Sequence, residues 1–373
     1  MLLLSILLCV ALLYYLQDKL YKRYWDTGLY ASLNLSDTRA VEGDSLTLTE
    51  TVENHKLLPL PLVHVKFVTD RSLVFEDDDN AAITDSYYRN DIMSVLSWQK
   101  LTRTLTFQCT RRGYFPVHSL TITCGNLFFS ADHLATYPCS KQLYVYPRFV
   151  DSSAFEPAFR KMFGSVLTRR CLNEDPFEFR SIREYQSYDD RKSVNWKASA
   201  KTGALKVTTH DYTATQQVRI LLNLEEGSML HYENLLEESI RLAATAAAAF
   251  LDRGIIVSLT TNGRDIITQE PLSVPEGSGA GHMRTLNETL ARIDLGQDAA
   301  PIGPICESLI AQTRSQDYLI LISTYQREDL QDLLRRLPGK ADSFLWLIPL
   351  ERSMEFKVAG DLARSALPWY VNK

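Results

Sequence analysis

Eight side chains between positions 183 and 197 gather most of the reactive chemistry in this sequence: Arg183, Tyr185, Asp189, Asp190, Arg191, Asn195, Trp196 and Lys197. Neighbouring carboxylates such as Asp189 and Asp190 can serve general acid–base hydrolysis. A nucleophilic mechanism would also need a base and an orienting group, and no such triad is evident around them. Opposite charges interleaved with aromatic rings can equally form a partly desolvated network, with guanidinium groups over Tyr or Trp faces. Three readings follow: a structural clamp at a domain junction, a partner-docking surface, and a catalytic carboxylate pair. The missing triad argues against the catalytic pair, and the clamp is the plainer of the two readings left.

Other candidates are thinner. Six cysteines and seven histidines are scattered without CxxC, HxxxH or HxH spacing. A zinc site or disulfide framework therefore has little basis, and free thiols in a reducing compartment fit better. Asp77, Asp78 and Asp79 are three consecutive carboxylates, which converge poorly on one calcium ion. No P-loop or GxGxxG motif is present. The net charge of −5 argues against a nucleic-acid partner, which would favour a basic surplus.

The elements that must position these groups fall into three stretches. Leu2 to Leu16 is apolar apart from Ser5, and Leu20 and Tyr21 extend it. This is just long enough for a membrane helix. Lys19, Lys22 and Arg23 follow it, so the positive-inside rule places the rest of the chain in the cytoplasm, beneath the inner membrane. No cleavage-site pattern is visible. Tyr14, Tyr15, Tyr21, Tyr24 and Trp25 suit an interfacial belt.

Residues 26–150 alternate with period two. Val41–Val52, Leu62–Val68, Thr102–Cys109, Ser119–Cys124 and Gln142–Tyr146 read as short strands of an immunoglobulin-like β-sandwich. Glu50 alone breaks the first of these, and Glu76–Arg89 reads as a solvated loop. Residues 151–211 form a charged, aromatic junction. Residues 212–373 alternate strand and helix. Val218–Leu224, Ile255–Thr260, Tyr318–Ser323 and Phe344–Leu350 are buried strands. Tyr232–Asp252, Leu286–Ile293, Ile305–Thr313 and Glu328–Leu337 are helices. Asn262-Gly263 signals a hairpin turn, and Pro271–Met283, with its Gly277–Gly281 run, reads as a flexible loop. Together these predict an α/β doubly wound parallel sheet with a hairpin edge.

The segment Asp175–Val207 resembles the signature of the bacterial "domain of unknown function 58" (DUF58) family, membrane proteins often paired with MoxR-type AAA+ ATPases. The matching positions are Arg183 and Tyr185, Asp189 or Asp190 with Arg191, Asn195 and Trp196, then Lys197, Ala198 and Ala200. Tyr188 stands where a glycine is usual. Arg111–Tyr114, Gly125–Phe128 and Val145–Pro147 resemble further landmarks of that family. The resemblance implies a membrane helix, a β domain, the signature and a von Willebrand A-like domain.

Such a domain would hold Mg²⁺ through an Asp-x-Ser-x-Ser run after its first strand. Here Asn223 replaces the aspartate and Glu225 the first serine, with Ser228 beyond, and Thr324 stands where a further aspartate is usual. Conventional metal binding is therefore not expected, and no cofactor is implied. The expected function is a membrane-anchored, non-catalytic scaffold or adaptor for protein–protein interaction, partnered with a MoxR-type AAA+ ATPase in assembling other complexes. The alternatives are a metal-dependent adhesion module and a hydrolase using Asp189 and Asp190.

Overall fold

The computed structural model describes residues 2–77, 79–128, 132–172, 179–186, 194–210, 217–227, 230–313, 317–337 and 344–371. They divide into two compact units, Met1–Arg148 and Phe149–Lys373.

The first unit opens with helix α1 (Leu2–Tyr24), whose stretch Leu4–Tyr24 is long and apolar enough to cross a membrane. Ten strands follow: β1 (Leu29–Leu35), β2 (Arg39–Val41), β3 (Ser45–Asn54), β4 (Leu60–Asp70), β5 (Leu73–Phe75), β6 (Ala81–Ile83), β7 (Ser86–Val95), β8 (Lys100–Cys109), β9 (Gly113–Gly125) and β10 (Asp132–Tyr146). They form two sheets, ordered β1-β3-β8-β5 and β2-β10-β9-β4-β7-β6. Alternate residues of both sheets fill one core, with Leu48, Val52 and Phe107 from the first and Val63, Val65 and Ile122 from the second. This is the β-sandwich that the period-two pattern predicts.

Two sequence expectations change here. Tyr21 and Trp25 do not join a headgroup belt. Both are buried in the sandwich core, and the Tyr21 hydroxyl donates to the Pro59 carbonyl at 2.7 Å. The end of α1 is thus built into the sandwich. The expected loop at Glu76–Arg89 instead contains β6 and the start of β7.

Glu50 also has a structural role. It stands opposite Arg103 across β3 and β8 and is 1% exposed. Around it lies a buried ionic cluster: Arg89 Nε donates to Asp91 at 2.6 Å, and Arg103 donates to Asp91 and Asp77 at 2.8 Å each. The Asp77 carboxylate is thus engaged by guanidinium groups, not set up for calcium.

The second unit begins with α2 (Ser152–Leu172), whose Phe155, Phe159 and Met162 are buried in the core of the sheet that follows. A separate hairpin pairs β11 (Phe179–Glu184) with β12 (Lys206–His210), and α3 (Trp196–Thr202) lies between them in sequence. The main sheet holds β13 (Gln217–Asn223), β14 (Ile256–Asp265), β15 (Pro271–Gly277), β16 (Ile293–Asp294), β17 (Tyr318–Ser323), β18 (Phe344–Glu351) and β19 (Ala366–Val371). Its helices are α4 (Glu233–Leu251), α5 (Gly279–Ala291), α6 (Ile302–Gln312) and α7 (Glu328–Arg335).

The strand order is β15-β14-β13-β17-β18-β19, with β16 beside β14. The five strands from β14 to β19 in that order, apart from β15 and β16 on the edge, run parallel. From β13 the chain passes through α4 to β14 on one side, and only after β16 does α6 carry it to β17 on the other side of β13. The strands are continuous apolar runs because both faces are covered. Ile220, Leu222 and Ile320 face α2, α4 and α5, while Leu221, Leu321 and Trp346 face α6 and α7.

The edge hairpin differs from expectation. Asn262-Gly263 is not a turn but part of β14, and the chain reverses after Asp265, where Gln269 takes φ 60°. The Asp265 carboxylate organises that turn by accepting from Ile267 N and from the Thr268 hydroxyl. A Cβ on Gly263 would stand 2.7 Å from Leu224 Cδ1 and 2.9 Å from Ile293 Cγ2, so the glycine admits close packing instead. The expected loop at Pro271–Met283 is a strand followed by the start of a helix. Gly277 ends β15, and Gly279, at φ 81°, opens α5.

Candidate functional site

The candidate site lies at the C-terminal ends of the parallel strands, between β13 and β17, where the strand order switches from one side of β13 to the other. Crevices at such switch points are the natural binding places of open α/β sheets. Asn223 ends β13 and is paired in register with Ser323, which ends β17.

Asn223 is fully buried and uses its amide at both ends. Its Nδ2 donates to Ser323 Oγ at 2.8 Å, and its Oδ1 accepts from Glu225 N at 3.0 Å and Asn262 Nδ2 at 2.8 Å. Asn262 carries the network across β14: its Oδ1 accepts from Leu224 N, and its Nδ2 also donates to the Ala300 carbonyl, each at 2.8 Å. Ser323 Oγ accepts from Tyr325 N at 3.0 Å, and Trp346 Nε1 donates to the Ser323 carbonyl at 3.2 Å. An aspartate at 223 could accept but could not supply the donor to Ser323.

Glu225 and Glu226 have local structural tasks. Glu225 Oε2 accepts from Ile302 N at 2.9 Å, at the first residue of α6. Glu226 accepts from Tyr232 N at 2.6 Å, just before α4, and its other oxygen meets His231 Nδ1 at 2.6 Å. Each carboxylate satisfies or flanks a helix start, where the N–H groups lack intrahelical partners and the dipole favours negative charge.

Two clefts open on this rim. One, of about 610 Å³, is lined by Glu225, Glu226, His231, Asp294 and Asp298 among others. The second, of about 660 Å³, shares Glu226 and adds Tyr232, Thr324, Arg327, Glu355 and Lys357. Arg327 crosses its wall: the guanidinium donates to the Gly227 carbonyl at 2.7 Å and lies 5.6 Å from the Tyr325 ring centre. The Tyr325 hydroxyl donates to Asp329 at 2.7 Å, and burial together with that bond pushes it up to about 12. The rim therefore combines an acidic cleft with a neighbouring cleft of mixed charge. Among the described residues no group of three or more His, Cys, Asp or Glu side chains is arranged to hold a metal ion. Thr324 lines the second cleft and Ser228 lies outside the described residues.

The signature residues are placed elsewhere in this unit. Arg183 sits on β11 opposite Val207, and Tyr185 N donates to the Leu205 carbonyl at 2.9 Å. Asn195 caps α3, its Oδ1 accepting from Ala198 N at 2.9 Å. Ser199 ties the cap to β12, its Oγ donating to the Asn195 carbonyl and accepting from Lys206 N, each at 2.8 Å. Trp196 and Lys197, at the first helical positions, are exposed. Asp189, Asp190 and Arg191 lie outside the described residues. Sequence reasoning missed Asn262 and Tyr325. Asn262 was hidden because Asn-Gly reads as a turn, and nothing local marks its amide as reaching the next strand.

Likeness to solved structures is low. The CARDB domain of a Pyrococcus furiosus protein gives a TM-score of 0.21 at 13% identity, over 31% of this chain and 91% of that one. A cohesin module from a Clostridium perfringens family 33 glycoside hydrolase gives 0.23 at 8% identity, over 31% and 96%. Neither informs the fold, which rests on the strand order above. A curated relative, printed as "Uncharacterized protein YeaD" of Bacillus subtilis (strain 168), is 23% identical over 241 residues, 63% of this chain and 56% of that protein's length. Residues 181–358, from the signature hairpin to the segment before the last parallel strand, match the family model described as "Protein of unknown function DUF58".

Proposed function

We propose that this chain is a membrane-anchored, non-catalytic adaptor, whose α/β unit is von Willebrand A-like and docks a protein partner at the strand-end rim. The observation that carries this reading is the amide network of Asn223, Asn262 and Ser323 beneath two adjoining clefts. A cation site needs anionic oxygens free to coordinate. At this rim the neutral amide is engaged at both ends, and Glu225 and Glu226 serve helix starts. Recognition here proceeds through hydrogen bonds, charge and shape.

The acidic first cleft suits a basic segment of the partner, and Arg327 and Lys357 in the second suit its acidic groups. The apolar helix α1 supports attachment to the inner membrane, and Lys19, Lys22 and Arg23 support a cytoplasmic location for both units. The signature resemblance adds the class of partner, a MoxR-type AAA+ ATPase.

The test is affinity capture of the full chain from solubilised membranes, with wild type and Glu226→Arg compared. The wild type is expected to retain an AAA+ ATPase and the variant to lose it. Wild-type capture that recovers no ATPase overturns the partner. Equal recovery by both forms overturns the rim as the docking surface.

A further inference from the structure

The first unit carries an apolar rim at the end where α1 enters. Three connections meet there: β3 to β4, β7 to β8 and β9 to β10. The register places Leu60 against Val95 and Leu62 against Gly125, so these strand ends lie side by side. Leu57 is 79% exposed, Leu96 61%, Trp98 69% and Phe128 58%, and Leu127 is also exposed. The first two loops are bound to each other. Asn54 Nδ2 donates to both the Leu58 and Leu96 carbonyls at 2.9 Å, Trp98 N donates to the Lys56 carbonyl at 3.2 Å, and the Ser97 hydroxyl donates to the Leu57 carbonyl. Apolar side chains clustered on loops at one end of a domain mark a surface built for contact.

The place of this rim relative to α1 points to its occupant. Tyr21 and Trp25 root the helix in the sandwich, and Lys56 Nζ donates to the Trp25 carbonyl. Residues 126–128, which leave β9, lie against the helix. Asn126 Nδ2 donates to Asp18 at 3.1 Å, and the Phe128 ring lies 5.7 Å from that of Tyr14. Tyr14 is seven residues before Tyr21, about 10 Å along the helix axis. It belongs to the apolar run of α1, so Phe128 lies at the same depth as that part of the helix. Asp18 would be costly near hydrocarbon, and the Asn126 amide supplies it with a partner.

Trp98 adds an independent sign. It holds φ 56°, a backbone conformation that a bulky residue adopts only at a cost, yet its ring is mostly exposed. Nothing in the sandwich core requires a tryptophan at that position.

We infer that Leu57, Leu96, Trp98, Leu127 and Phe128 form a lipid-contacting collar that seats the sandwich in the headgroup–acyl boundary around α1. Aromatic and aliphatic side chains on an interfacial surface partition into that layer, and Lys19, Lys22 and Arg23 on the helix would meet the phosphates. This rests on α1 crossing a bilayer.

The experiment separates the two claims. The photoreactive residue p-benzoylphenylalanine replaces Leu8, Trp98, Phe128 or Val74 one at a time in the full chain, which is reconstituted in phosphatidylethanolamine–phosphatidylglycerol vesicles. All four positions are exposed, and Val74 lies on β5 at the opposite end of β8. Lipid adducts are expected at Leu8, Trp98 and Phe128 and absent at Val74. Adducts at Leu8 alone overturn the collar and leave the membrane helix standing. No adduct at Leu8 overturns the anchor itself. Protein–protein adducts at Trp98 and Phe128 in place of lipid overturn the collar in favour of a second copy. Trp98→Asn serves as a folding control. Asparagine tolerates the left-handed backbone, so the thermal midpoint in detergent should hold or rise, while the lipid adduct at Phe128 is retained.

Discussion

The two units bury their polar groups in different places. In the β-sandwich, charges lie inside: Arg89 and Asp91 on β7 are buried, and Arg103 on β8 reaches Asp91 across the two sheets, with the buried carboxyl group of Glu50 beside them. In the α/β unit the interior between strands and helices is apolar, the buried carboxylates Asp265 and Asp317 lie at strand ends paired with Arg292 and Arg219, and the network beneath the rim is of neutral amides and hydroxyls. A buried ion pair is costly to assemble and very costly to break, whereas a satisfied amide network costs less in either direction. The contrast teaches where each unit is most brittle: the sandwich between its sheets, the α/β unit at its buried ion pairs more than at the amide network beneath its rim.

The largest way to sharpen that contrast is Asp91→Ala. It leaves the Arg89 guanidinium buried without its nearest carboxylate, and the sandwich should lose about 3–5 kcal/mol. Hydrogen exchange of β4 and β7 amides would read this, with β13 and β17 unchanged. Wild-type protection in the sandwich of this variant would break the comparison.

Next in size is a pH effect confined to the sandwich. Burial, with the Asp91 charge adding to it, pushes Glu50 up to about 8. The folded chain then keeps the Glu50 proton between its ordinary value near 4.5 and pH 8, while the unfolded chain releases it. Folding binds a proton in that window, so stability falls as pH rises through it, by about 1 kcal/mol per pH unit. Denaturant titrations from pH 5 to 8 should show the fall in wild type and a flatter profile in Glu50→Gln. An equal slope in both would remove Glu50 as its source.

At the rim the effects are smaller. Asn223→Ala strips donors and acceptors from Ser323, Asn262 and Glu225 N, and should cost the α/β unit about 1–3 kcal/mol. Asn223→Asp should fall in the same range without acquiring Mg²⁺ affinity, since Glu225 and Glu226 remain turned to helix starts. Isothermal titration with Mg²⁺ reads this, and tight binding would overturn the account of the rim. Smallest is Glu225→Gln, which keeps an acceptor for Ile302 N but removes the charge at the start of α6, worth about 0.5 kcal/mol. Thermal melts of the variant should shift by no more than a few degrees.

Legibility in the sequence followed the simplicity of the pattern. Val218–Leu224 and Tyr318–Ser323 were readable because a strand covered on both faces must be apolar throughout. Val63, Val65 and Phe67 were readable because one buried face forces alternation. Tyr87, Arg89 and Asp91 keep the same period of two on β7, but charges at those positions read as the solvent face, so the strand looked like loop. Tyr21 and Trp25 read as interfacial aromatics, because nothing local says that a sandwich closes over them. Asn262-Gly263 looked like a turn because its local conformational preference is real, and packing against Leu224 and Ile293 overrode it.

The sequence alone determined an apolar N-terminal helix, a period-two β unit and an alternating α/β unit, since hydrophobic periodicity is a local property that burial enforces. Tertiary structure alone decided which polar residues turn inward and whom they meet. Asp91 on β7 and Arg103 on β8 pair across the two sheets, with Glu50 of β3 buried beside them. Asn223, Asn262 and Ser323 lie on three separate strands. A hydrogen bond or ion pair between such distant residues depends on strand register and sheet order, which only the assembled fold fixes.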